Sequence, residues 1–492
     1  MATLNALPEE LQLLIIDFLD VQSPSSQKLR QEPALELTKS DDQTLKNVSL
    51  LSKCWRRLVL PVLFKYARLR LDASPKYEWT TCKACNTRAI SNPTSVIDLE
   101  PEVDGVDQYH VDMVRAALAR CNVNLKAGLL DDEAQQMGEM AFALKERIQP
   151  STALSWIPRF YHGLQDFIQY LIQHELTSVV DSFVLYTGPM LEQKLRRFPH
   201  EAADRDWRYA ASAAFWAHLL SIIDPSTITI LAPPTDLACL ANCAIDTFGD
   251  WAFTDMEYHI LSLTQPKPTS NQPPRTSPSQ PPSYSTLHPI PPTYPSASPS
   301  SILALRPWTH LSLNEGSFLK AYGTYEFFER GPPSLIASIK QSTLHPASRL
   351  PALASLSYTA IFPFATHADF AALLPRIGKL SLQLAPRRES TILHERARLG
   401  KADLADCWTE LAAAYAGLAG ALASVRRVGV GGLEGGDVGW DTRMAGVRVR
   451  ELEVLDLWTP GMRGELDEIF TPLCLPVWVE RLEGVYERMG GV

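Results

Sequence analysis

Residues 377–383 read Ile-Gly-Lys-Leu-Ser-Leu-Gln, placing Ile377, Leu380 and Leu382 three and two positions apart. The same spacing recurs at Val180/Phe183/Leu185, Tyr258/Leu261/Leu263, Trp308/Leu311/Leu313, Leu353/Leu356/Tyr358, Val425/Val428/Val430 and Leu452/Leu455/Leu457. A weaker copy stands at Pro225/Ile228/Ile230. Central positions of neighbouring copies lie 24 to 50 residues apart. Apolar residues at alternate positions of a short run form one face of a strand. Helical patterns lie between the copies, among them TDLACLANCAIDTF, THADFAALLPRI and ADCWTELAAAYAGLAGAL. Alternation of strand and helix predicts a parallel sheet with helices packed on it.

The apolar core of each copy resembles that of a leucine-rich repeat, in which a short strand precedes a helix. The resemblance implies an irregular solenoid of parallel strands paired in chain order over residues 151–492. Leu380, Leu382, Leu455 and Leu457 would then be buried, with Ser381, Gln383 and Asp456 facing out from one sheet surface. The spacing is irregular and the repeat asparagine is often missing, so an unrelated α/β domain is the alternative. Between two of the copies, Gln265–Ser301 holds twelve prolines and nine serines with no acidic residue. Such a composition cannot bury enough apolar surface to offset its ordering entropy, which predicts a disordered insert within one domain.

The N-terminal 71 residues read differently. Pro8 suits the first position of a helix, and Glu9 and Glu10 follow it at the positive end of the dipole. Leu11, Leu14, Ile15, Phe18 and Leu19 mark one apolar face, widened by Leu13 and Ile16. A short helix that is apolar on more than one side needs a second element or a second chain to cover it. The polar stretch Val21–Gln43 follows. Leu45, Val48, Leu51, Ser52, Trp55 and Leu58 then recur at helical spacing, and Pro61 is expected to end that helix.

The segments LPEELQLLIIDFLD and LKNVSLLSKCWRRLVLPVLF together resemble an F-box, the three-helix motif of substrate receptors in SCF-type ubiquitin ligases. The resemblance covers residues 4–71 and departs from the pattern at the insert Val21–Gln43, where most F-boxes have a short loop. It implies that Leu7, Pro8, Leu11, Ile15, Leu19, Leu45, Val48, Leu51, Cys54 and Trp55 bind an SKP-family adaptor, and through it a cullin scaffold. An unknown protein substrate would be held by the C-terminal region. A chain that uses its F-box as a scaffold outside any ligase is the alternative. The expected fold class is mainly α with α/β: a three-helix F-box over residues 1–71, a connector with helices over 72–150, and a leucine-rich-repeat-like solenoid with a disordered Pro/Ser-rich insert over 151–492.

Composition narrows the function classes. The 492 residues are 46% apolar and 21% charged, with a net charge of −9. That balance argues against a dedicated nucleic-acid binder or a polybasic membrane binder. Gln43–Leu71 carries seven basic residues and no acidic one, yet mostly at solvent-side helical positions, so a solvated face is expected. Eight cysteines are too few for a disulfide scaffold. With no signal-peptide pattern and no apolar run of 18 residues, the expected location is the cytoplasm or nucleus. Cys82 and Cys85 have zinc-knuckle spacing but no second ligand pair nearby, and remain weak metal candidates. Cys239 and Cys243 suit a helical core face. The glycines at 429, 431 and 435 fit no dinucleotide-binding register. No cofactor is implied, and no residue is expected to be catalytic.

Overall fold

The computed structural model describes residues 7–21, 23, 27–40, 43–71, 76–80, 155–159, 162–188, 212–241, 258–266, 302–323, 334–336, 339–340, 353–424, 448–459, 462–474 and 478–489. Their framework is one ten-stranded sheet. Its strands are β1 (Tyr66–Leu71), β4 (Ser182–Thr187), β5 (Thr227–Ala232), β6 (His259–Thr264), β7 (His310–Ser317), β8 (Leu353–Ile361), β9 (Ile377–Gln383), β10 (Glu451–Val454), β11 (Trp478–Leu482) and β12 (Val485–Arg488). They lie in the order β1-β4-β5-β6-β7-β8-β9-β10-β12-β11. A separate antiparallel ribbon pairs β2 (Lys76–Thr80) with β3 (Ser155–Arg159).

The apolar spacing becomes two continuous rows of side chains across the sheet. One row runs Ala67, Phe183, Ile228, Leu263, Leu311, Leu356, Leu380, Leu452. The other runs Leu69, Leu185, Ile230, Leu261, Leu313, Tyr358, Leu382, Val454. All sixteen side chains are buried. Because successive residues of a strand point to opposite faces, keeping this register puts every one of them on the same side.

The helices cover that side. Leu164, Ile168 and Leu171 of α4 (His162–Gln173) join the same core, as do Leu237 and Leu240 of α5 (Pro234–Ala241). So do Leu411, Tyr415, Leu418 and Leu422 of α6 (Leu404–Ser424) and Leu466 and Phe470 of α7 (Met462–Cys474). Phe215, Trp216 and Leu219 extend it from a helix at 212–220. Apart from the adjacent Phe215 and Trp216, the intervals of three and four between these residues make one apolar stripe per helix.

The expected fold class is overturned. The fold is a mixed α/β sheet, not a mainly α chain with a three-helix F-box and a solenoid. Although β1 and β4–β10 pair in chain order, β6 is antiparallel to both β5 and β7, and β12 is antiparallel to β10. Ala232 lies opposite His259, so the chain leaves β5 and re-enters at β6 on the same end of the sheet, without a crossover. Alternate apolar positions report which residues face a core and are silent on strand direction. In the reversed strand, Tyr258 packs on the opposite face.

The last copy lies three residues earlier than its expected place. Strand β10 is built on Leu452 and Val454, with Val449 completing the spacing. Leu455 and Leu457 instead lie in a 3-10 turn, where Leu455 is only half-buried. Ser381, Gln383 and Asp456 are buried rather than facing out. The Val425 copy, the glycines at 429–435, residues 81–150, and residues 267–301 of the Pro/Ser segment lie outside the described residues.

The helices within residues 7–71 lead directly into the sheet. Helix α1 (Glu9–Leu19), α2 (Thr44–Ser49) and α3 (Lys53–Phe64) are present, but α3 runs through Lys65 straight into β1. One continuous helix was expected over residues 45–58. The chain breaks at Leu50–Ser52, where the Ser52 hydroxyl accepts from the Trp55 N–H at 3.3 Å and starts α3. Pro61 lies inside α3 rather than ending it.

Candidate interaction surfaces

Helix α1 is apolar on two sides, and only one is covered. Gln12 and Ile16 are buried, with Ile15 and Leu19 half-buried beside them. Ile16 joins Trp55, Leu58 and Val59 in a small cluster, against which Ile15, Leu45, Val48, Val62 and Leu63 pack. Gln12 is satisfied, donating to the Leu7 carbonyl at 2.9 Å. Ion pairs from Arg57 to Glu9 (3.0 Å) and Lys65 to Asp20 (3.2 Å) tie the two ends of α1 to α3.

The opposite stripe faces water. Leu11, Leu14 and Phe18 stand at i, i+3 and i+7, and Phe18 is 87% exposed and Leu14 63% exposed. Leu50, between α2 and α3, is 77% exposed, and Leu13, Val21 and Leu51 are also exposed. Seven of the eleven large apolar side chains exposed among the described residues therefore fall between positions 11 and 51. A concentration of this kind marks an interaction surface, whereas single exposed apolar residues do not.

The sequence-derived adaptor residues divide by burial. Pro8, Leu11, Leu51 and Cys54 are exposed. Leu7, Ile15, Leu19, Leu45 and Val48 are half-buried, and Trp55, at 1% exposure, is interior. Leu13, Leu14, Phe18 and Leu50 complete the open surface without having been named in the motif. The helical spacing contained α1's outer stripe but could not say which of its two apolar sides turns inward.

The second surface is the face of the sheet away from the helices. One row across it reads Arg68, Val184, Thr229, Ser262, Ser312, Ser357, Ser381, Glu453, and the next reads Arg70, Tyr186, Leu231, Ile260, Asn314, Thr359, Gln383. The insert between α1 and α2 lies over this face. From Arg30 to Thr38 it crosses the strands as a strap. Arg30 donates to Ser381 Oγ on β9 at 3.2 Å and lies 3.9 Å from the Glu453 carboxylate on β10. The Asn314 amide on β7 donates to the Leu29 and Gln31 carbonyls at 2.9 and 2.7 Å. Leu29, Leu35 and Leu37, together with Tyr186, pack on Leu231, Tyr258 and Ile260. Arg68 on β1 donates to the Thr38 carbonyl at 2.6 Å.

Charge at the far end of the strap is compensated. Burial opposes ionisation of Glu453, but a Ser381 hydrogen bond and the charges of Lys379 and Arg30 hold its carboxyl below the usual range. Burial likewise opposes the Lys379 charge, and its contacts with Glu451 and Glu453 outweigh that and raise its pKa. Glu32 pairs with Arg398. These ion pairs are partly exposed, and such pairs contribute about 0–1 kcal/mol each.

Beside the strap, Gly316 adopts φ +71° at a bulge in β7, which favours glycine there. Next to it Glu315 is buried. It accepts from Tyr358 Oη at 2.7 Å, Ser334 Oγ at 2.9 Å and the amides of Leu335 and Ile336 at 2.6 and 3.3 Å. Burial raises its pKa although all four donors oppose the shift. These donors hold the Glu315 carboxyl beside the bulge.

Cys82, Cys85 and Cys243 lie outside the described residues, and Cys239 is buried beside Ser212 at 3.6 Å. Among the described residues, no group of three or more His, Cys, Asp or Glu could hold a metal ion. No described helix is long and apolar enough to cross a membrane. No protein-family model, curated protein or solved structure matches the chain.

Proposed function

We propose that this chain is the substrate-recognition subunit of an SCF-type ubiquitin ligase, with its N-terminal helices docked on an SKP-family adaptor. The observation that carries this reading is the open stripe Leu11, Leu14 and Phe18 together with Leu50 and Leu51. It lies on the segment whose residues LPEELQ and SKCWRRL resemble an F-box. Trp55 supports that surface from within, by fixing α3 against α1. The chain supplies no catalytic side chain. It raises the rate of ubiquitin transfer by holding a target near the charged conjugating enzyme, where tethering replaces a bimolecular encounter.

The test is a pull-down with a co-expressed SKP-family adaptor. Leu14→Asp combined with Phe18→Asp should weaken binding by about 30-fold or more, because truncating or charging a central interface anchor costs at least about 2 kcal/mol. The variant's melting temperature should match the wild type. Undiminished adaptor capture by this variant would refute the docking surface. Recovery of the adaptor without the cullin would point to a scaffold role outside the ligase.

A further inference from the structure

The strap occupies the sheet face without becoming part of the sheet. None of its residues pairs with a strand, and its one turn of 3-10 helix, Leu35–Thr38, has no buried residue. Gln31 and Glu32 are exposed and the three strap leucines are half-buried; Pro33, beside Gly316, is the one buried residue of the strap. Beneath them the sheet is closed off: Leu231, Tyr258, Ile260, Asn314 and Ser381 are all buried. A cavity of about 530 Å³ opens between the strap and β7, walled by Glu32, Pro33, Tyr258, Gly316, Lys320 and Arg398. A second, of about 470 Å³, separates the other end from the helices, bounded by Leu19, Val21, Thr38, Leu63 and Arg68. Both clefts open to solvent, so the strap is held from one side only, by its polar contacts and its half-buried leucines. Here a prepared groove is covered by a lightly seated occupant.

The groove's chemistry matches an extended peptide. Asn314 grips two consecutive alternate carbonyls through one amide, a contact that reads backbone and not side chains. An apolar patch of Tyr186, Leu231, Tyr258 and Ile260 accepts leucines. Lys379, Glu451 and Glu453 form a charged end that receives an arginine, and Arg398 receives an acidic side chain. We propose that this face is a peptide-docking groove and that residues 29–38 are its built-in occupant, displaced by a partner's extended segment of like chemistry. That segment would carry an arginine, an acidic residue two positions on, and a pair of leucines separated by one residue. The inference stands on the sheet and the strap alone, and would hold for a chain that never met an adaptor.

The probe is a labelled peptide of residues 27–40, QKLRQEPALELTKS. It should bind saturably, by fluorescence anisotropy, to full-length protein whose residues 27–40 are replaced by a Gly/Ser linker, and at least tenfold more weakly to the intact chain. A peptide carrying Leu35→Asp and Leu37→Asp should not bind. Equal binding to both proteins, or no saturable binding to a natively melting replacement, would overturn the groove. Hydrogen exchange on the intact chain decides independently, and alone if the replacement does not fold. The amides of residues 29–38 should exchange at least tenfold faster than those of β8 and β9. Exchange of the strap only together with those strands would make it a fixed brace. Adaptor pull-down by the same replacement protein reports on the ligase reading separately.

Discussion

Asp456 shows what a single position can hide. By alternation it was expected to face solvent between Leu455 and Leu457. The chain leaves β10 at Val454 and turns, which carries the carboxyl inside, where it accepts from the Leu384 amide at 2.7 Å and from the Tyr415 hydroxyl. Burial pushes its pKa from the ordinary 3.8 up to about 6, against the pull of those donors. The native state therefore binds the Asp456 proton more tightly than the unfolded chain. Its contribution to stability is complete below about pH 4 and is lost as pH rises through about 6. Shifted by about two units, it is worth up to about 3 kcal/mol. Urea unfolding from pH 7.5 to 4 should show wild type gaining stability relative to Asp456→Asn as the solution becomes more acid. A constant difference would mean that the carboxyl is hydrated, and a difference of opposite sign would mean that a cation faces it. Nothing in the local sequence LDLW signals this site, because burial here follows from a turn and from a tyrosine 41 positions away.

At the scale of elements, α1 and α3 were legible as helices from spacing, and the insert as polar from composition. Which side of each helix turns inward was not. Leu14 and Leu11 are as apolar as Ile15 and Ile16, so the choice is made by the shape of α3, with Trp55 and Val59 accepting Ile16. The polar insert also concealed its three leucines, whose spacing has meaning only against Leu231 and Ile260 on β5 and β6. The burial split makes a paired prediction. Trp55→Ala should destabilise the protein by about 3–5 kcal/mol, the usual cost of emptying a buried tryptophan site. Phe18→Asp should leave the melting temperature within about 1 °C, since surface changes normally stay within ±0.5 kcal/mol. Calorimetry on the two single variants checks both. Equal losses would place Phe18 in a core, and would remove the open stripe from which adaptor docking is argued.

For the whole molecule, the sequence carried the two apolar rows almost complete but not the direction of the strands they cross. Strands β6 and β7 are the instructive pair, because their flanking patterns looked like two more repeats and are instead one antiparallel pair. Its ends are clamped. The Thr309 amide and hydroxyl both donate to the Thr264 carbonyl, at 2.9 and 3.2 Å, and the Gln265 amide donates to Ser226 at 2.9 Å. Arg306 reaches the Pro225 carbonyl at 3.0 Å and Asp224 at 2.7 Å, and the Trp308 indole donates to Ile302 at 2.7 Å. Both ends are held by neighbouring strands, and the composition of residues 267–301 predicts that these 35 residues act on stability only through the entropy of closing their loop. Each halving of a flexible loop recovers about 0.6 kcal/mol, so shortening these residues to about eight should recover about 1 kcal/mol. The shortened chain should melt at the wild-type temperature or up to about 2 °C higher, since 1 kcal/mol moves a chain of this size little. The deletion must begin after Pro266, because Gln265 is buried and bonded to the β5 entry. A fall in melting temperature of more than about 5 °C would show that the proline- and serine-rich residues pack on the sheet, and that closure of the β6–β7 pair depends on them.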